Sequence, residues 1–191
     1  MKTSSALVAL LALLTLLLPL AATGAEFNAV VVDKSAIVFV FKQMSVPVDG
    51  KFGKFAAKLN FDPAQPAKAT AQIDVDLTSI DTGSGEANDE AKSKAWFNVR
   101  EFPSAKFLAS GVRALGGNRF EASGKMTIKG RSRDVVAPFT FRPEGAGAVL
   151  EGSIPIQRLQ YAIGEGTWSD TTTVADEVQV RFHFTLVGAK K

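Results

Sequence analysis

Cysteine is absent from the 191 residues, and histidine occurs once, at His183. The first absence removes disulfides and thiolate nucleophiles, so stability must come from burial and backbone pairing. Together the two absences exclude a His/Cys metal cluster. A Ser–His–acid triad would have to use His183, which alternates with Gln179, Arg181 and Thr185 and so falls on the polar face of a strand. A strong excess of one charge is also missing. There are 22 basic and 19 acidic residues, a formal net charge of +3, and no dense Lys/Arg run able to track a phosphate backbone. Nucleic acid is therefore not an expected partner. "GEGTW" at 164–168 lacks the P-loop Lys and Ser/Thr, and reads as a tight turn or lid. Asp74 and Asp76 share the outer face of one strand, where carboxylates are usually solvated. Asp170 and Asp176 are too few for calcium.

What is present begins with the N-terminus. "MKTSSALVALLALLTLLLPLAATGA" has one basic residue, an apolar middle and small residues at its end. That is the order of a secretory signal peptide. Pro19 breaks the apolar run, and Thr23 and Ala25 suit the small cleavage positions, so removal is expected after Ala25. The alternative, a retained anchor, falls short of the roughly 20 apolar residues that span a bilayer. The expected division is 1–25 signal peptide and 26–191 one domain, exported to the periplasm.

After residue 26 the hydropathy has period two. "KFAAKLNFD" sets Phe55, Ala57, Leu59 and Phe61 against Lys54, Lys58 and Asn60, and "ATAQIDVDL" sets Ala71, Ile73 and Val75 against Gln72, Asp74 and Asp76. "NRFEASGKMTIKG", "RDVVAPFTFR" and "EVQVRFHFTLV" alternate in the same way, and 106–113 and 148–157 do so more weakly. With the run "SAIVFVFKQM" at 35–44 there are about eight strands, broken by "FDPAQP", "LGGN", "IKGRS" and "PEGAG". The class is all-β, an antiparallel sandwich or barrel. "SGEANDEAKSKAWF" departs from it and predicts a helix over about 85–97, with Ser84 as N-cap and Ala87, Ala91 and Ala95 on one face. Residues 37–41 are apolar on both faces, so something must cover the second one. The helix either lies there or closes one end of a barrel.

Aromatic content is the remaining signal: 14 Phe, mostly on inward faces, with Trp96 and Trp168 near loops. Small inward residues accompany them, including Ala71, Ala122, Gly124 and Ala137. Alternating bulky and small groups either pack a core or leave an apolar tunnel.

These segments resemble the YceI-like family of polyisoprenoid-binding-like proteins. The resemblance is carried by "KSAIVFVFKQM", "VDGKFGKFAAKLNFDP", "SIDTG", "WFNVREFPSAKFLAS", "GKMTIKGRSRDV" and "RLQYAIGEGTWSD", in that order and spacing. It implies an exported, eight-stranded lipocalin-like barrel with an elongated apolar cavity. Many members carry His where Lys34 and Gln43 stand here. The implied function is periplasmic binding, transport or sequestration of a long isoprenoid or similar amphiphile, a quinone-like molecule included, without a cofactor or metal. Expected partners are that lipid, a membrane in transient contact and, as an open alternative, a second copy of the chain. Two other readings stay open: an envelope stress protein acting through protein contacts without lipid, and a small barrel enzyme on a hydrophobic substrate, which would need an inward acid or base. On the parity of Ile37, Phe39, Phe41 and Gln43, the expected cavity lining is those four residues with Phe55, Leu59, Ala71, Ile73, Val75, Phe107, Phe120, Met126, Phe139, Phe141, Phe182 and Phe184. Trp96, Phe97 and Trp168 complete it from the loops, and Tyr161 and Arg158 are placed near its mouth.

Overall fold

Period-two hydropathy becomes antiparallel sheet throughout. The computed structural model describes residues 26–188. The expected signal peptide and its cleavage point lie outside the described residues. Eleven strands form: β1 Phe27–Val30, β2 Ala36–Gln43, β3 Val46–Phe52, β4 Phe55–Asn60, β5 Thr70–Asp76, β6 Ile80–Asp81, β7 Ser104–Gly116, β8 Arg119–Ile128, β9 Arg131–Glu144, β10 Gly147–Gln157 and β11 Glu177–Gly188. The helix α1 spans Gly85–Lys92. The sheet order is β4-β5-β7-β8-β9-β10-β11-β2-β3-β6, with β1 paired to β11.

The sheet curls into a half-barrel rather than the hydrogen-bonded eight-stranded barrel expected. Its two ends meet through the chain itself, because only Gly53 and Lys54 separate β3 from β4. That corner is pinned: the Gly53 N–H donates to the Ser79 carbonyl at 3.0 Å and the Lys54 N–H to Ser79 Oγ at 2.9 Å. At the other rim β1 reaches across from β11 to β4, where Phe27 and Phe61 exchange two backbone hydrogen bonds of 2.9 Å. The eight strands expected from the sequence are β2, an unbroken apolar run, and the alternating β4, β5 and β7 to β11. The additional strands β1, β3 and β6 carry little alternation. β3 holds Pro47, Asp49 and Gly50, a composition that reads as turn. Gly50 is needed there because the Phe39 ring of β2 lies across it. A Cβ at residue 50 would stand 2.3 Å from that ring.

The helix is shorter than expected. Ser84 caps it as predicted, accepting from the Ala87 N–H at 3.5 Å, but the chain leaves helical geometry at Ser93. Of the predicted alanine face only Ala91 is buried, packed with Phe39 and Ile80 and flanked by Phe41, Phe52 and Phe97. α1 therefore closes one end of the half-barrel on the inward face of β2. It does not cover Val38 and Val40, whose outward face it was one candidate to bury. Val38 instead borders a concavity on the outer wall beside Arg181.

Candidate functional site

The core around the cavity is built of apolar side chains. At the rim near β1, Phe61 meets Phe120, Phe139 and Phe141 with ring centroids 5.1, 5.7 and 5.3 Å apart, and Phe27 lies 5.4 Å from Phe141. Below this cluster runs a cavity of about 120 Å³, walled by β2, β4, β5 and β7 to β11. Bulky Phe107, Phe139, Phe182 and Phe184 alternate around it with Ala69, Ala71, Ala105, Ala122 and Ala137.

Ten of the nineteen expected lining residues border this cavity: Ile37, Leu59, Ala71, Ile73, Val75, Phe107, Met126, Phe139, Phe182 and Phe184. The other nine lie elsewhere. Phe120 and Phe141 belong to the aromatic cluster at the rim. Phe39, Phe41 and Phe97 pack beneath α1. Phe55 rests on Phe184 at 5.8 Å. Trp96 and Trp168 pack against each other at 5.4 Å, and Gln43 is exposed at the end of β2, bridged to Val174. Phe61, Val112, Leu150, Ile154 and Val180 line the cavity and were not on the expected list, although their alternation marks them as inward.

Small inward residues do not all leave space. Gly124 is covered by the Phe107 ring and Gly152 by the Phe182 ring, so that a Cβ would stand 2.7 and 2.5 Å from those rings. A strand glycine shielded by a cross-strand ring is a known packing device. It uses volume that the sequence pattern suggests is hollow.

The end capped by α1 is held by two buried cations. Arg158 is 2% exposed and gives every guanidinium N–H to a carbonyl. Nε donates to Ala175 at 3.1 Å, Nη1 to Ile163 and Gly164 at 2.8 and 3.2 Å, and Nη2 to Trp168 and Val174 at 2.7 Å each. Its guanidinium also sits 5.4 Å from the centre of the Trp96 ring. Lys129 donates to the carbonyls of Lys94 and Ala162 at 2.9 and 2.7 Å and to Glu165 Oε2 at 2.8 Å. Arg158 thus organises the 158–176 loops, and Lys129 ties them to the segment after α1. Burial lowers the Arg158 pKa, and the Lys129 hydrogen bond holds the Glu165 carboxyl below its ordinary value. Among the described residues Arg158 and Lys129 are the buried charged side chains, and no carboxylate is buried. His183 stands on the outer wall, its Nδ1 2.8 Å from Glu151 Oε1.

A curled antiparallel half-barrel, capped by one short helix around an apolar cavity, defines a β-barrel-like fold with a hydrophobic interior. The YceI-like domain model matches residues 29–186, and the chain belongs to that family. The UPF0312 protein of Azotobacter vinelandii is 28% identical over 96 residues, covering 50% of each chain. The chain spans about half the length of the first such curated relatives. The crystal structure of BcnA from Burkholderia cenocepacia is similar at 41% identity and a TM-score of 0.81, covering 82% of this chain and 99% of that one. A polyisoprenoid binding domain from Saccharophagus degradans shares the fold at 14% identity and a TM-score of 0.64, covering 87% and 99%.

Proposed function

We propose that this protein binds a long-chain isoprenoid or similar amphiphile in the periplasm, and carries or sequesters it after transient contact with a membrane. The observation that carries the reading is the cavity, whose wall is almost entirely aliphatic and aromatic. The fold shared with the Saccharophagus degradans polyisoprenoid binding domain supports it by analogy. Each methylene moved from water into such a space is worth about 0.8 kcal/mol. A cavity of about 120 Å³ holds one ring-sized or five-carbon piece. A long tail therefore requires the lining rings to turn. Phe107 and Phe182, which border the cavity and lie over Gly124 and Gly152, are the rings this reading requires to turn.

The small resting volume also favours a second reading, an envelope protein that acts through protein contacts with its interior filled by its own side chains. Export of the native chain, gentle purification, solvent extraction and mass spectrometry separate the two. Stoichiometric amphiphile is the expected result, on a mature chain that starts at Glu26. Repeated recovery of none overturns the carrier reading. Ala71→Trp, which places an indole in the cavity, should yield a folded protein that no longer retains ligand.

A further inference from the structure

A second concavity, larger than the interior cavity, lies on the outer wall. It has a volume of about 660 Å³, in the size range of small-molecule sites, and reaches from Leu115 and Arg119 across β9, β10 and β11 to Val38 of β2. Its origin is a fork in the sheet. The ladder between β9 and β10 ends at the pair Gly152 and Phe139. Beyond it β9 stays paired with β8 as far as Arg131, and β10 with β11 as far as Gln157. Pro138, which has no N–H, and Ser153 stand where the two strands part, and both border the concavity. Gly152 permits the close approach just before the fork, because a Cβ there would run into the Pro138 carbonyl oxygen.

The charges around this space are unbalanced. Elsewhere on the outer wall cations meet carboxylates across strands: Arg113 reaches Glu121 at 2.8 Å, Lys125 reaches Asp134 at 2.8 Å and Lys106 reaches Asp74 at 3.2 Å. Arg119 and Arg181 have no such partner. The cross-strand neighbours of Arg119 are Gly116 and Thr140, and those of Arg181 are Ser153 and Val38. Among the described residues no ion pair or side-chain hydrogen bond holds either guanidinium. Both arginines border the concavity, where Glu151 is the one carboxylate and His183 Nδ1 stands 2.8 Å from its Oε1. They share the space with the apolar side chains of Val38, Leu115 and Pro138.

This combination suits one kind of guest. A guanidinium takes a carboxylate as a bidentate pair, and apolar side chains gain by covering a hydrocarbon or aromatic body. Two arginines against one glutamate leave a single net positive charge, with His183 neutral, which matches a monoanion.

We propose that the outer concavity is a second ligand site, for a small amphiphilic carboxylate whose head is held by Arg119 and Arg181 and whose apolar body lies on Val38, Leu115 and Pro138. The site is on the opposite side of the sheet from the cavity, so the inference stands apart from the carrier reading.

The test compares three fluorescent probes on the purified protein: pyrenebutyrate, pyrenebutanol and pyrenebutyl phosphate. The carboxylate should bind about tenfold more tightly than the alcohol, with an advantage that shrinks as salt rises. Arg119→Gln combined with Arg181→Gln should abolish that advantage and leave the urea midpoint unchanged, since both side chains are exposed. Glu151→Gln should strengthen carboxylate binding several-fold, a gain that a damaged fold does not give. Ala71→Trp, which fills the interior, should leave carboxylate affinity unchanged. Equal binding of carboxylate and alcohol overturns the site, and so does an advantage that survives in the double arginine variant or a weakening in Glu151→Gln. Loss of carboxylate binding in Ala71→Trp puts the guest inside the half-barrel and overturns it as well. Tighter binding of the phosphate overturns the monoanion class. The carrier reading fails separately, when extraction of the native protein recovers no amphiphile.

Discussion

Arg158 shows how a buried charge is kept without a carboxylate. Its five N–H groups meet five carbonyls from three loop segments, so the planar fork works as a template for backbone. Lysine cannot reproduce this, having three donors on a point charge. Arg158→Lys should lose roughly 3 kcal/mol of stability, read as a lower urea midpoint with unchanged slope. Glu165 makes a pH prediction. Folding depresses its pKa from 4.5, chiefly through the Lys129 hydrogen bond. The native state then binds fewer protons than the unfolded chain in that range. The stabilisation is complete above pH 4.5 and is lost as pH falls through the depressed native value. Thermal scans of the parent and Glu165→Ala should differ near neutrality and converge in acid. Neither network is visible in the sequence, which places Arg158 near a cavity mouth and Lys129 on the polar side of an alternating strand, whereas both are buried and bonded to backbone carbonyls.

Among the elements, the strands that alternate are legible and those that do not are missed. β8 and β11 place Phe120, Ala122, Phe184 and Leu186 inward as their period requires. β3 stays hidden because its glycine serves a ring on the neighbouring strand. This gives an ordered prediction for glycine substitutions. A Cβ at Gly50 meets only the far atoms of the Phe39 ring, which can turn aside. A Cβ at Gly124 would stand 2.5 Å from the Leu108 carbonyl oxygen, which cannot. Gly124→Ala should therefore destabilise by about 1–3 kcal/mol and Gly50→Ala by less, measured by chemical denaturation. The helix teaches a related lesson. Ser84 and the first turn are readable, but burial of Ala91 against Phe39 and Ile80 depends on where the curled sheet leaves an open end.

For the whole molecule the governing fact is how the sheet meets itself. Among the described residues no ladder joins β4 to β3 or β6 at the other end of the sheet. The Gly53–Lys54 corner closes one side and the Phe27–Phe61 bridge the other. Phe27 is 5% exposed and packs on Phe61 and Phe141 through the rim cluster. Phe27→Ala should cost about 3–5 kcal/mol and raise amide exchange in β1 and β4 ahead of β8 and β9, seen by hydrogen–deuterium exchange. Retention of full protection in β1 would show that the bridge does not depend on this ring.

By itself, the order of residues determined the all-β class, the inward parity of eight strands and the apolar character of the interior, because a period of two is a local property of the chain. Only the tertiary structure decided the rest: how much of that interior stays empty, which residues border the space, and which polar atoms are buried beside it. Those depend on rings reaching across to glycines and on donors meeting carbonyls many residues away, and such distances do not exist until the sheet has curled.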